Sequence, residues 1–182
     1  MMPARYVRNV QTFSTGMDGV YAIKHARFPS STRFVCSYAD GNRFKDEIFE
    51  MARVAGQVEN LKFWHFHHVV EGKHYADVDF RGHLQTYYEA VLPTVLLSAR
   101  EHSALNGLLS SAEGSLMFRD QSLPRLKHDR ARAVANIGRD NRTGLQQRIA
   151  GLRSMYGDVY ADDAVLRKIA ENVFDELMDA LG

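Results

Sequence analysis

The sequence predicts an α+β fold: a small sheet in the first part of the chain and a helical C-terminal part. Segments that mix aromatic and β-branched residues, as strands do, lie before residue 98. From Leu123 onward the apolar residues recur at helical spacing. With 182 residues, 45% of them hydrophobic, the chain is long enough for one sizeable core. It has no internal repeat, low-complexity tract or long Gly/Pro/Ser linker, so one domain over 1–182 is expected, with 123–182 as its helical region.

The elements follow in order. "GVYAIKHARF" (19–28) and "TRFVCSYA" (32–39) read as two strands joined by a turn at "PSST". In "NRFKDEIFEMARVAG" (42–56), Phe44, Ile48, Phe49, Met51 and Ala52 recur at helical spacing, with Gly56 as a stop. "LKFWHFHHVV" (61–70) is a third strand; "KHYADVDF" (73–80) is short, alternating and ambiguous. "GHLQTYYEAVL" (82–92) fits a helix ending before Pro93, and "TVLL" (94–97) a buried strand. Ser98 starts a capping box. Its hydroxyl receives an amide of the first turn while Glu101 reaches back to the Ser98 amide, so a helix is expected from about Ala99 to Leu109. "RLKHDRARAVANIG" and "GLQQRIAGLRSMYG" are helices interrupted by "RDNRT". "DDAVLRKIAENVFDELMDALG" (162–182) is the strongest helix. Its apolar stripe is Leu166, Ile169, Ala170, Val173, Phe174 and Leu177, and Asp162-Asp163 suit its positive N-terminal end.

Composition excludes several classes. One cysteine, Cys36, permits neither an internal disulfide nor a cysteine-rich zinc site, and its strand setting makes it a small buried hydrophobe. Any metal must therefore use His, Asp, Glu or Asn. No apolar run approaches the roughly 20 residues that span a bilayer, and "MMPARYVRNVQTF" lacks the apolar core of a secretory signal. The expected location is the cytoplasm, or a target cell's cytoplasm reached without a signal peptide of its own. A net charge of +1 names no partner.

The chemistry centres on "FWHFHHVVEG" (63–72). There His65, His67 and His68 stand where a strand core ordinarily holds Ile, Val or Phe. Strand side chains alternate, so His67 and His68 point to opposite faces and suit two tasks: one binds a metal, the other faces a substrate as a base. On the helix after Ser98, His102 and Asn106 are four apart and share a face.

Strand, His-His, strand, helix and His-x-x-x-Asn in that order resemble the HNH, or ββα-metal (His-Me finger), nucleases. "HHVVEG" is similar to the "HH-I/V-V-E" signature of HNH-type nuclease domains in bacterial polymorphic toxins. The resemblance covers about 61–112, which it makes a ββα-metal-like motif. It implies metal ligation by His67, His102 and, directly or through water, Asn106. It also implies a catalytic pair: His68 as the general base that activates water, and Glu71 orienting a ligand histidine. An amide ligates more weakly than imidazole, so Mg²⁺ or Mn²⁺ is favoured over Zn²⁺ or Ni²⁺. The implied activity is metal-dependent endonucleolytic cleavage of DNA, less readily RNA, by a bacterial toxin effector with a cognate immunity (inhibitor) protein and no membrane partner.

A basic stretch fits a nucleic-acid partner. Between Arg119 and Arg153, nine cations against three aspartates leave +6. Arg100, Arg125, Lys127, Arg130 and Arg132 are candidate phosphate contacts, with Arg139 on the same helical region. The plainer reading is a solvated helix surface partly neutralised by Asp175, Glu176 and Asp179.

Other readings stay open. His65 and His67 share a strand face and form a rival metal pair. His74, Asp77 and Asp79 are a second possible cluster, though a solvated strand edge is preferred. Trp64 and Phe66 are expected to hold the strand by packing, and Tyr87 and Tyr88 to anchor a helix. His25 and His128 are expected at the surface. A non-catalytic interaction module, inhibitor or adaptor, would keep a degenerate nuclease-like core. The absence of asparagine from 83–97, where the family carries one, suits that module. A hydrolase of small phosphoesters is a third reading.

Overall fold

The computed structural model describes residues 1–24, 32–55, 63–74, 90–117 and 142–181. Its strands are β1 (Thr12–Ser14), β2 (Tyr21–Lys24), β3 (Thr32–Ser37), β4 (His65–His68) and β5 (Pro93–Leu97). They form a five-stranded antiparallel sheet in the order β1-β2-β3-β5-β4. The helices are α1 (Tyr38–Arg43), α2 (Lys45–Val54), α3 (Ala99–Met117), α4 (Arg142–Val159) and α5 (Ala164–Leu181). Single 3-10 turns cover Ala4–Val7 and Gly72–His74.

Alternation along the central strands divides the core. Ala22, Phe34, Cys36 and Leu96 point to one face, where Ile48 and Ala52 of α2 and Trp64 cover them. Ile23, Val35, Val95 and Leu97 point to the other, beneath Leu105 and Leu109 of α3 and residues of α4 and α5. Each fully buried Ile, Leu or Phe here stabilises the fold by about 1.5–3 kcal/mol. The whole predicted stripe of α5 is buried. Asp163 caps that helix, its Oδ1 accepting the Leu166 amide at 3.0 Å. Asn172, buried in the same helix, donates from Nδ2 to the carbonyls of Tyr6 (3.0 Å) and Arg8 (2.9 Å), tying the N-terminal turn to α5. Strands from 12–37 and from 65–97 thus share one sheet.

Several boundaries differ from expectation. The strand read through Ala39 stops at Ser37, whose hydroxyl accepts the Asp40 amide (3.0 Å) and starts α1. The helix expected over 42–56 is two helices, broken at Phe44. β1 was not anticipated, being three residues with little apolar pattern. α3 runs past Leu109 to Met117, because Leu109 and the buried Glu113 continue its inward stripe. The segments expected as helices over 125–138 and, apart from its last residues, 82–92 lie outside the described residues, as do Tyr87, Tyr88, His25 and His128. Cys36 is fully buried, and burial pushes its thiol up to about 12. Trp64 is buried and Phe66 packs beside it, as expected. Among the described residues, no helix is long and apolar enough to cross a membrane.

Candidate functional site

β5 leads through Ser98 directly into α3, and this junction is heavily fastened. Glu101 Oε2 accepts from the Ser98 amide (2.9 Å) and from its hydroxyl (2.8 Å), while the Glu101 amide donates to Ser98 Oγ (3.3 Å), completing the predicted capping box. Glu101 also pairs with the buried Arg33 of β3. Burial pushes the Glu101 carboxyl up, but the Ser98 amide, the Arg33 charge and the Ser98 hydroxyl outweigh it and hold the group below its ordinary value. The first turn of α3 is thereby locked to the sheet.

That lock sets His102 over the outer strand. In the β4–β5 register His65 lies opposite Leu97 and His67 opposite Val95, so both imidazoles share the face that α3 covers. His102 stacks on His65 with ring centroids 4.9 Å apart and meets the edge of His67 at 5.1 Å. Asn106, one turn on, brings Nδ2 to 3.3 Å and 3.5 Å from the two ring nitrogens of His102. Glu71 Oε1 lies 3.6 Å from His67 Nε2. Exposure grades outward from buried His67, through half-buried His102, Asn106 and Glu71, to exposed His65.

Four of the predicted residues therefore converge: His67, His102, Asn106 and Glu71. His65, the rival metal partner of His67, joins them. His68 does not. It lies on the opposite face, half-buried, its ring nearly parallel to Tyr38 of α1 at 6.2 Å. Arg100 is exposed on the first turn of α3. Arg125, Lys127, Arg130, Arg132 and Arg139 lie outside the described residues. Farther along the basic stretch, Arg153 pairs with Asp175 of α5, as the plainer reading expected, whereas Arg148 is buried rather than solvated.

The preference for His74 on a solvated edge is overturned. His74 is fully buried, with Nε2 2.8 Å from Glu113 Oε1 and Nδ1 3.0 Å from the Tyr156 hydroxyl. Asp77 and Asp79 lie outside the described residues. Tyr156 also accepts the Glu71 amide at 2.9 Å, and Tyr160 donates to the Val69 carbonyl at 2.8 Å. Burial, then the charges of Asp163 and Glu71, push the Tyr160 hydroxyl above its ordinary value. One sequence signal existed for this network: Glu113, a carboxylate on a stripe with His102, Asn106 and Leu109.

Imidazole and amide donors suit a divalent ion. Even so, among the described residues no three His, Cys, Asp or Glu side chains are grouped as ligands of one ion. The His65 and His102 rings are stacked, with their planes 28° apart. Compared with protein-family models, curated proteins and solved structures, the chain matches none.

Proposed function

We propose that this protein is a divalent-ion-dependent phosphodiesterase that cuts nucleic acid, DNA in preference to RNA. One observation carries the reading: His67 and His102, distant in sequence, meet at 5.1 Å with Asn106 beside one and Glu71 beside the other. His67 and His102 would hold the ion, with Asn106 in the third position. A divalent ion held there would supply stabilisation of the charge on the phosphoryl oxygens and the leaving oxygen. Glu71 orients the His67 imidazole from behind. Exposed Arg100, with Arg125, Lys127, Arg130 and Arg132, holds the phosphate backbone. The preference for DNA, a toxin's delivery into a target cell and a cognate inhibitor protein follow from the HNH resemblance.

A neutral imidazole near pH 7 accepts the proton of the attacking water. The resemblance assigns this to His68. The exposure of His65, on the same face as His67 and His102, favours His65 as the alternative base. A non-catalytic interaction module is the second reading, favoured by the stacking that engages His102.

The test is cleavage of plasmid DNA and total RNA in EDTA, Mg²⁺, Mn²⁺, Ni²⁺ and Zn²⁺, with His67→Ala, His68→Ala and His65→Ala alongside. The expected result is plasmid nicking that needs metal and is lost in His67→Ala, with the weaker of the other two variants naming the base. Binding that weakens steeply with salt marks a polymer rather than a small phosphoester. Folded protein that cuts nothing under any metal rejects the nuclease and leaves the interaction module.

A further inference from the structure

We infer that Glu113, His74 and Tyr156 form a positioning column that holds Glu71 against His67. Its consequence for cleavage rests on the reading of His67 above; its existence as a column does not.

The hydrogen-bond directions follow from one another. The Glu71 amide donates to the Tyr156 hydroxyl at 2.9 Å, so the hydroxyl oxygen is the acceptor and its own proton points elsewhere. The neighbouring atom is His74 Nδ1, at 3.0 Å. If Nδ1 accepts, the ring proton sits on Nε2, and Glu113 Oε1 is there to take it at 2.8 Å. The carboxylate selects the tautomer, the tautomer orients the hydroxyl, and the hydroxyl anchors the Glu71 backbone. His74, Glu113 and Tyr156 are each fully buried, so they touch no substrate and act through Glu71. Tyr160 supplies a parallel strut, its hydroxyl donating to the Val69 carbonyl at 2.8 Å. The segment after β4 is therefore fastened at Val69 and at Glu71 by tyrosines at the C-terminal end of α4. α3 serves both ends, bearing His102 in its first turn and Glu113 about three turns later.

Tyr156→Phe keeps the ring in the core and deletes only the hydroxyl. Glu113→Gln keeps the shape and weakens the acceptor. Both are compared with the wild type by amide hydrogen exchange and by NMR of the histidine rings. In Tyr156→Phe the Glu71 amide is expected to exchange at least tenfold faster, while the Val69 amide, bonded to the Pro93 carbonyl at 3.0 Å, stays protected. The His67 ring signals move with it. Glu113→Gln moves the same signals less. Unchanged Glu71 exchange and unchanged His67 signals in folded Tyr156→Phe overturn the column, whatever Glu113→Gln does. If the wild type cuts DNA, Tyr156→Phe lowers cleavage about 10–100-fold, as losses behind a ligand do. Faster Glu71 exchange with cleavage unaltered overturns the link to His67. If the wild type cuts nothing, the nuclease reading fails and the exchange result still decides the column.

Discussion

At its N-terminal end α3 presents His102 to an open cluster whose outermost ring, His65, is exposed. Farther along the same inward stripe it presents Glu113 to His74, which is fully buried. The inner imidazole has a strong partner on each nitrogen and is fixed by them. The outer imidazoles meet through ring faces and edges, with Asn106 Nδ2 beside His102 and the Glu71 carboxylate 3.6 Å from His67. Two histidine groups thus meet α3 at different depths, the inner one bonded at both ring nitrogens and the outer one reaching the surface at His65.

The largest expected effect tests that division on stability. His74→Ala leaves a buried carboxylate without its imidazole and should cost about 3–5 kcal/mol, as broken buried pairs do. His65→Ala, at an exposed position, should stay within about 0.5 kcal/mol. Urea unfolding of both variants checks the contrast, and equal costs would break it.

The next effect is functional. His102→Ala should lower metal-dependent cleavage at least about 100-fold, since even residues behind a ligand account for 10–100-fold. Its melting temperature should barely move. A variant that melts early yet cuts normally would place His102 with the inner group.

The smallest effect concerns the lock that aims α3. The Glu101 carboxyl is held below its ordinary value of 4.5. A depressed acid stabilises the fold above its unfolded value, and that contribution disappears as pH falls through the lower folded value. Glu101→Gln should therefore be less stable than wild type at pH 7, by under about 1 kcal/mol for a partly exposed pair. The gap should narrow between pH 7 and an acid pH below 4.5, as the carboxyl takes up its proton. Denaturant midpoints at the two pH values measure it; a gap that persists in acid would mean the Ser98 and Arg33 contacts do not depend on the Glu101 charge.

What was legible in the sequence lay within a turn or a strand step. The Ser98–Glu101 box, the α5 stripe, the shared face of His102 and Asn106, and the opposed faces of His67 and His68 all follow from local periodicity. The Ser37 cap was equally legible: Ser37-x-x-Asp40 repeats the spacing of Ser98-x-x-Glu101, and Asp40 Oδ2 accepts the Ser37 hydroxyl at 2.6 Å. The buried column was not, because His74, Glu113 and Tyr156 come from a turn and two helices that only tertiary packing brings together. His74 beside acidic residues looks like a solvated edge until Tyr156 covers it. β1 was missed because a three-residue strand has too few positions for alternation to register.

The most direct test of the outer cluster is metal binding itself: titration of Mn²⁺, and separately Zn²⁺, into wild type and His67→Ala, followed by calorimetry. Wild type is expected to bind about one ion per chain and the variant none, with both proteins folded. A folded wild type that binds neither ion, or a His67→Ala protein that binds as well as the wild type, would rule out a metal site at His67.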